Sequence, residues 1–180
     1  EAQGTSGSPL SGLTVRNVTL SKWGSYGMFL RQVSGFKVTG CVLSDIGYTG
    51  IGVLTGTQGE ISGNTVDNIT PGTSGNAYGI VMSFAGTEAE STDIVVRGNT
   101  VSRVFWEAID AHAGSRLTID NNTVRNSGDG IALAQGSTAS QPGSNNMVTN
   151  NLVEDSSKRG IVVVGQSGTP RAAVTVSGNT

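Results

Sequence analysis

The segment Arg97-Gly98-Asn99-Thr100-Val101 recurs in altered form along the whole 180-residue sequence. Aligned on the third residue, the copies give one column: Val18, Cys41, Asn64, Asn99, Asn122, Asn151 and Asn179. The spacings in this column are 23, 23, 35, 23, 29 and 28 residues, which we interpret as a 23-residue unit with insertions of 12, 6 and 5 residues. Self-similarity at such a period is typical of solenoids.

A second column of residues supports the same register. It consists of an apolar residue preceded by Gly or Ala: Met28, Ile51, Ile80, Ile109, Ile131 and Ile161. Alternate apolar residues follow each member, as in Ile51-Gly52-Val53, which is the pattern of a strand with one buried face. Another short strand precedes each member of the first column. Two or three short strands per turn, with Gly or Asn at the corners, predict an all-β parallel β-helix.

The asparagines of the first column have a structural explanation. Asn tolerates left-handed backbone angles, and its amide can bond to the equivalent Asn about 4.8 Å away in the next coil. We therefore predict about six to seven coils of ~23 residues with an Asn ladder at one corner.

The repeat also predicts the organisation of the chain. We expect residues 1–180 to form one β-helix domain, with a lead-in loop over residues 1–11 and coils over residues 12–180. An uncapped coil exposes apolar core and unpaired backbone groups. We therefore expect the sequence to be an internal portion of a longer protein.

The chain resembles the pectate-lyase-like superfamily of right-handed β-helices, whose members carry the repeat V-x-G-N-T-V followed by G-I-x-V. The first part is present as Val96 to Val101 and the second as Gly160-Ile161-Val162-Val163. The resemblance covers residues 12–180 and implies a right-handed, single-stranded solenoid. It does not fix the reaction, because the superfamily includes lyases, glycosidases, epimerases and phage tail spikes.

A narrower similarity is to phage tail proteins and secreted bacterial relatives. It rests on the low charge, the coils rich in Ser, Gly and Thr, and the segment from Trp106 to His112. It implies an extracellular location, either secreted or on a virion tail, and for a tail spike a homotrimer. The segment Ser127-Gly128-Asp129-Gly130-Ile131 resembles the Gly-Asp-Asp of polygalacturonase-type hydrolases, but Gly130 replaces the second Asp and the pattern is incomplete.

The composition argues against several classes of function. A net charge of −2 gives no electrostatic reason to expect nucleic acid or an anionic membrane as a partner. No run of about 18 apolar residues occurs. The single Cys41 excludes an internal disulfide, and no Cys/His cluster indicates zinc. The calcium-binding Asp cluster of pectate lyases has no clear match, so we predict neither a cofactor nor a metal, although Ca²⁺ would suit a lyase.

The fourth coil differs from the others in the outward-facing residues of the strand that begins at the second column. The first outward column is Phe29, Gly52, Val81, Asp110, Ala132 and Val162, and the next is Arg31, Leu54, Ser83, His112, Ala134 and Val164. Asp110 and His112 are two residues apart on a strand, or roughly 6–7 Å, so one ligand can contact both. His112 is the only histidine. We predict that Asp110 and His112 are catalytic.

A corner column precedes this strand. It consists of Tyr26, Thr49, Tyr78, Glu107, Asp129 and Arg159. Stacked carboxylates at Glu107 and Asp129 would raise one pKa, and Arg159 can compensate part of this effect. Trp106, beside Glu107, is expected to face outward and stack on a sugar, and Tyr78 and Tyr26 extend this aromatic line.

These residues suit two kinds of carbohydrate chemistry. Hydrolysis uses two carboxylates roughly 5–9.5 Å apart, whereas elimination uses a base and a cation that neutralises a uronic carboxylate. We predict Glu107 as a third catalytic residue. The predicted substrate-binding residues are Trp106, Tyr78, Asp129, Arg159 and Arg31. The sequence leaves their roles open.

Each of these features also has a structural interpretation. Asp110 and His112 can form a surface pair that keeps a strand soluble. Glu107, Asp129 and Arg159 can form an ordinary ion-pair ladder, and Trp106 can pack beneath the third coil's insertion. The polar loops at 71–77, 86–92 and 136–144 can wall a groove or be tolerated insertions.

We therefore predict a polysaccharide depolymerase, either a lyase or a glycoside hydrolase, that acts on an extracellular or cell-surface glycan. The alternative is a non-catalytic module that binds glycan, serves as an adhesin or forms part of a tail fibre. A third possibility, an ice-binding solenoid, requires a regular Thr row that the mixed outward columns do not provide.

Overall fold

The computed structural model describes residues 1–73, 75–136, 138, 141–166 and 173–180. Ser74 of the loop at 71–77, and residues 137, 139 and 140 of the loop at 136–144, lie outside the described residues. All regular elements in the described residues are β-strands. A helix capable of crossing a membrane is not found in this part of the chain.

The strands form three faces, A, B and C, that every complete coil contributes to in turn. Face A contains β1 (Ala2–Gln3), β5 (Tyr26–Arg31), β9 (Thr49–Leu54), β12 (Tyr78–Ser83), the ends of β14 (Thr100–His112) and β16 (Thr123–Ala134), and β19 (Arg159–Val164). Face B contains β4 (Thr19–Trp23), β8 (Val42–Ile46), β11 (Thr65–Ile69), the beginnings of β14 and β16, and β18 (Leu152–Glu154). Face C contains β2 (Leu10–Ser11), β3 (Thr14–Arg16), β6 (Val33–Ser34), β7 (Lys37–Thr39), β10 (Thr57–Ser62), β13 (Thr92–Arg97), β15 (Thr118–Asp120), β17 (Asn146–Thr149) and β20 (Val174–Ser177).

Strand pairing confirms the predicted register. Equivalent residues on face C pair in parallel from coil to coil: Val15, Val38, Ile61, Val96, Ile119, Val148 and Val176. Their separations reproduce the spacings of 23, 23, 35, 23, 29 and 28 residues read from the sequence. The fold is thus an all-β parallel β-helix, as predicted.

The Asn ladder is also confirmed. The Nδ2 group of Asn64 donates to Oδ1 of Asn99 at 2.9 Å, and the same contact at 2.9 Å links each following pair through Asn122, Asn151 and Asn179. Each side-chain oxygen also accepts the backbone N–H of the preceding ladder residue, as Asn99 Oδ1 does from Asn64 at 2.9 Å. The side chains of Asn64, Asn99, Asn122 and Asn151 are buried, so the ladder satisfies polar groups inside the solenoid.

The backbone explanation that we gave for these asparagines is wrong. The left-handed residue is the one immediately before each ladder position: Asn17, Gly40, Gly63, Gly98, Asn121, Asn150 and Gly178, with φ between 52° and 64°. The ladder residues themselves have no positive φ. Asn and Gly precede the ladder because they tolerate this conformation, whereas the ladder position selects Asn for its amide.

The inward columns of face A form much of the core. Ile51, Ile80, Ile109 and Ile131, together with the apolar residue two positions after each, have no exposed area. The N-terminal prediction needs correction, because residues 1–11 are not all loop. β1 pairs with β5, and β2 pairs with β6, so the stack begins before residue 12.

One corner is irregular where faces B and A meet. β14 and β16 both pass through this corner, which joins the two faces into one eleven-stranded sheet. Val104 pairs with Ser127 and Glu107 with Asp129, so Phe105 and Trp106 oppose the single residue Gly128. This is a β-bulge, a feature that redirects nearby side chains, and it immediately precedes Glu107.

We expect Asn99→Ala to lower the free energy of unfolding by about 3 kcal/mol or more, because it leaves several buried groups without partners. These include the backbone N–H of Asn64 and the carbonyl of Ile61, which accepts from Asn99 Nδ2 at 2.9 Å. Urea denaturation measures the change. As a control, Asn76→Ala truncates a half-buried Asn outside the ladder that bonds Tyr78 Oη and should cost about 1 kcal/mol. Equal losses in the two variants would contradict a special role for the ladder.

Candidate functional site

A cleft with a volume of about 370 Å³ opens on the outward side of face A. The outward column of that face supplies its floor: Gly52, Val81 and Asp110. Corner residues supply one side: Tyr26, Tyr48 and Tyr78. The ends of the strands and the residue after β12 supply the other side: Leu54, Ser83, Phe84 and His112. The cleft therefore crosses three successive coils.

The aromatic side of the cleft is a continuous set of edge-to-face contacts. The ring centroids of Tyr26 and Tyr48 are 5.2 Å apart at an interplanar angle of 89°, and those of Tyr48 and Tyr78 are 5.7 Å apart at 84°. Such pairs add about 0.5–1.5 kcal/mol each beyond the area that they bury. The wall is therefore a packed surface, which suits it to hold a ligand in a fixed position.

One of the predicted loops follows the residues of the opposite side in the chain. Phe84 lies beside His112, with ring centroids 5.8 Å apart and an angle of 32°. Further along this segment, Glu88 binds Arg31 and accepts from Thr55 Oγ1 at 3.0 Å. The buried Gln141 donates to the Glu88 carbonyl at 3.1 Å. The loop at 86–92 is thus tied to the solenoid, but its residues are not among the described residues that line the cleft.

Asp110 lies at one end of the floor. Its side chain is completely buried, and neither carboxylate oxygen has a hydrogen-bond partner among the described residues. The imidazole Nδ1 of His112 is 3.6 Å from Asp110 Oδ2, a charge contact longer than a hydrogen bond, and the His112 side chain is 43% exposed. We expected both residues on an open outer wall, but only His112 is accessible there.

The protonation of Asp110 and its neighbours is strongly perturbed. Burial, reinforced by the charge of Asp110, raises the pKa of Glu107 from 4.5 to about 8. Burial also raises the pKa of Asp110, with His112 and Glu107 opposing part of the change. Contact with Asp110 raises the pKa of His112, while burial acts in the opposite direction. Burial, followed by the charges of Asp110 and Glu107, raises the pKa of Tyr78 to about 12. These four groups form one electrostatic unit.

Other predicted residues lie outside the cleft. Asp129 is buried, and Arg159 donates to its two oxygens at 2.8 and 2.7 Å, which is the ion pair expected in the corner column. Trp106 does not line the cleft, because it packs against the core and Lys158 Nζ lies 4.1 Å from its ring centroid. Arg31 is held by Glu88. The cleft therefore gathers Tyr78, Asp110 and His112, whereas Glu107 is not among its described lining residues and is linked to Asp110 through their charges.

Two cleft residues, Tyr48 and Phe84, belong to none of the columns aligned from the sequence. Tyr48 precedes Thr49 of the corner column, and Phe84 follows the last residue of β12, so both lie just outside the aligned positions. The spacing between the two columns gave a partial signal for the bulge, since it is ten residues in the fourth coil, from Asn99 to Ile109, and nine in the fifth, from Asn122 to Ile131. In the described part of the chain, no three His, Cys, Asp or Glu side chains meet in a way that could hold a metal ion.

Comparison with known families agrees with this architecture. A family model described as "Right handed beta helix region" matches residues 4–180. The chain belongs to this right-handed β-helix family. A comparison with curated protein sequences gives no match.

Several solved structures have a similar fold. The structure of pectate lyase Pel9A has a TM-score of 0.66 at 13% identity, covering 93% of this β-helix and 54% of that chain. The catalytic domain of Agl-KA has a TM-score of 0.67 at 15% identity, and the match covers 98% of this β-helix and 37% of that chain. The Dettilon tailspike protein has a TM-score of 0.46 at 14% identity, covering 83% and 36%. This β-helix thus spans about half or less of each of these chains. The similarity to the first two structures shows a shared fold.

The raised carboxyl pKa predicts an unusual dependence of stability on pH. A carboxyl group whose pKa is higher in the folded protein than in the unfolded chain stabilises the fold while it is protonated. The contribution of Glu107 is therefore complete below pH 4.5 and is lost as the pH rises through about 8. Asp110 and His112 act in the same direction. We expect the melting temperature to fall between about pH 5 and pH 8, and Glu107→Gln to remove much of that fall.

Glu60→Gln is the matched control for this measurement. Glu60 lies on face C, and its hydrogen bond with Arg97 lowers its pKa. Its contribution is lost only as the pH falls, so this variant should keep the wild-type slope between about pH 5 and pH 8. Melting curves by circular dichroism across this range compare the three proteins. A Glu107→Gln variant with the full wild-type slope would show that the Glu107 carboxyl is not perturbed as described.

Proposed function

We propose that this β-helix is a carbohydrate-active protein that hydrolyses a neutral polysaccharide outside the cell. The observation that carries the proposal is the buried Asp110 carboxylate, which has no hydrogen-bond partner among the described residues, at the end of a cleft lined by aromatic rings. Burying such a group without partners costs free energy. Perturbed titratable groups in a cleft are typical of functional sites.

The shape and lining of the cleft support a sugar as the ligand. Tyr26, Tyr48 and Tyr78 line one side along the solenoid axis, and His112 presents a polar edge opposite. Apolar walls with a few convergent polar groups are typical of small-ligand sites. A sugar ring offers an apolar face to aromatic residues and hydroxyl groups to polar ones. The axial direction of the wall suits successive units of a linear glycan.

The charges around the cleft favour hydrolysis over elimination. Elimination from a uronic acid requires a cation that neutralises the substrate carboxylate. Among the described residues, the lining of the cleft includes no lysine or arginine. The neighbouring Arg31 is paired with Glu88, and Arg159 is paired with Asp129. A neutral glycan fits such a surface better than a polyuronate.

In the proposed reaction, Glu107 is the general acid. Its pKa of about 8 keeps it protonated at neutral pH, and it donates this proton to the glycosidic oxygen as the bond from that oxygen to the anomeric carbon breaks. Water forms the new bond to the anomeric carbon. Asp110 accepts the proton of that water when its carboxyl group is ionised, a step that requires the His112 ring to rotate away from Oδ2 and open the carboxylate to the cleft.

A second candidate is glycan binding without cleavage. It is favoured by the complete burial of the Asp110 side chain, which keeps its oxygens from a ligand unless His112 moves. In that case Glu107 and His112 act as hydrogen-bond donors to sugar hydroxyls, and the tyrosines provide the apolar contact. An adhesin or a tail-fibre module would need no more than this.

Purified protein should be incubated with neutral glucans and, separately, with pectin. We expect new reducing ends from a neutral polysaccharide and no ultraviolet absorbance from unsaturated sugar ends. Glu107→Gln and Asp110→Asn should each lower the rate by about 100-fold or more, since general acid–base groups contribute 10²–10⁴-fold. Binding measured by calorimetry should be kept in both variants.

Glu60→Gln on face C serves as the control and should leave the rate unchanged. Unsaturated products from pectin would contradict the hydrolysis proposal and indicate elimination. Binding by the wild-type protein without any release of sugar would favour the second candidate. Absence of binding to every glycan would rule out both.

A further inference from the structure

The cleft ends abruptly at Tyr26. Tyr26 lines the cleft and also a neighbouring depression formed by Glu1, Ser25, Gly27 and Phe29. Gly52 lines only the first of these spaces and Phe29 only the second. Since Phe29 and Gly52 are paired in register on adjacent strands, the boundary falls between two successive coils, and Tyr26 stands on it.

The absence of a side chain at Gly52 lets the Tyr26 ring lie close over the floor. A Cβ atom at Gly52 would be 3.1 and 3.2 Å from two Tyr26 ring atoms and 3.3 Å from the Thr49 methyl. These distances are tighter than ordinary van der Waals contact. A larger residue at position 52 would therefore displace the ring outward. Glycine at this position keeps the ring against the sheet.

Contacts on both sides hold the Tyr26 ring in place. It meets Phe29 with centroids 4.8 Å apart at 64° and Tyr48 with centroids 5.2 Å apart at 89°. Burial, together with the nearby Tyr48, raises the pKa of the Tyr26 hydroxyl to about 12, so it stays protonated at neutral pH. The ring is thus a fixed part of the wall that reaches over the floor of the cleft at Gly52.

The distance from this ring to the acidic groups is short. From Gly52 through Val81 to Asp110 the floor crosses two strand spacings, or about 10 Å. A cavity of about 370 Å³ over that length holds roughly two sugar rings. A glycan that reaches Tyr26 must end there or turn away from the sheet.

We propose that Tyr26 is a specificity-determining residue, which limits the bound glycan to a short segment on the Gly52 side of the acidic groups. This inference rests on the proposed carbohydrate function and adds the length of the recognised segment. Replacement by a small residue should join the cleft to the depression at Phe29. Threonine is the natural choice, because Thr49 occupies the same column in the next coil.

The test measures affinity by calorimetry for linear glucose oligosaccharides of the starch, cellulose and laminarin series, from disaccharide to heptasaccharide. For the wild-type protein, affinity should stop rising once about two rings are bound on this side. Tyr26→Thr should weaken disaccharide binding, because it removes part of the wall. Affinity of that variant should then keep rising with length, so that the ratio of long-chain to disaccharide affinity increases roughly tenfold.

Tyr26→Phe is the matched control, since it keeps the ring and removes only the hydroxyl. It should show the wild-type dependence on length. Wild-type affinity that rises steadily to the heptasaccharide, or an unchanged ratio in Tyr26→Thr, would overturn the role of Tyr26 and leave the proposed function intact. If no oligosaccharide of the three series binds to the wild-type protein or to either variant, both the role of Tyr26 and the proposed function are overturned.

Discussion

The in-register stacking of parallel coils is the constraint on which the rest of this structure depends. Backbone hydrogen bonds fix neighbouring strands about 4.8 Å apart, and the ladder from Asn64 to Asn179 fixes the same spacing at a corner. Residues that are distant in sequence but equivalent in the repeat thus become neighbours. Each coil can then carry a different outward side chain without disturbing the buried one.

This separation explains how polar groups can gather on a solenoid with a regular core. Ile109 and Ala111 point inward, like the equivalent residues of other coils. Asp110 and His112 alternate with them along the strand and therefore point outward. The bulge at Phe105 and Trp106 immediately precedes Glu107, and the charge of Asp110 acts on the Glu107 carboxyl. The unfavourable burial of these groups is tolerated because the strands on both sides are fully paired.

The same scaffold leaves the chemistry to a few variable positions. Pectate lyase Pel9A and the Agl-KA catalytic domain share this fold at only 13% and 15% identity, and a shared fold does not specify the site that it carries. The cleft here is bordered by side chains that do not belong to the repeat, such as Tyr48 and Phe84. The side chains of the cleft therefore determine the function of this β-helix, since the repeat specifies only the strands and the core beneath them.

The sequence by itself determined the coil spacing, the Asn ladder, the inward columns and the placement of Glu107 beside Asp129, because a parallel solenoid converts sequence period directly into spatial neighbours. It did not determine which column residue is left-handed, because Asn suits both that position and the ladder. Only the tertiary structure decided that Asp110 is buried, that Lys158 covers Trp106 and that Tyr26 closes the cleft. These features depend on how corner rings and inserted loops pack over face A, and such packing has no period to read from the sequence.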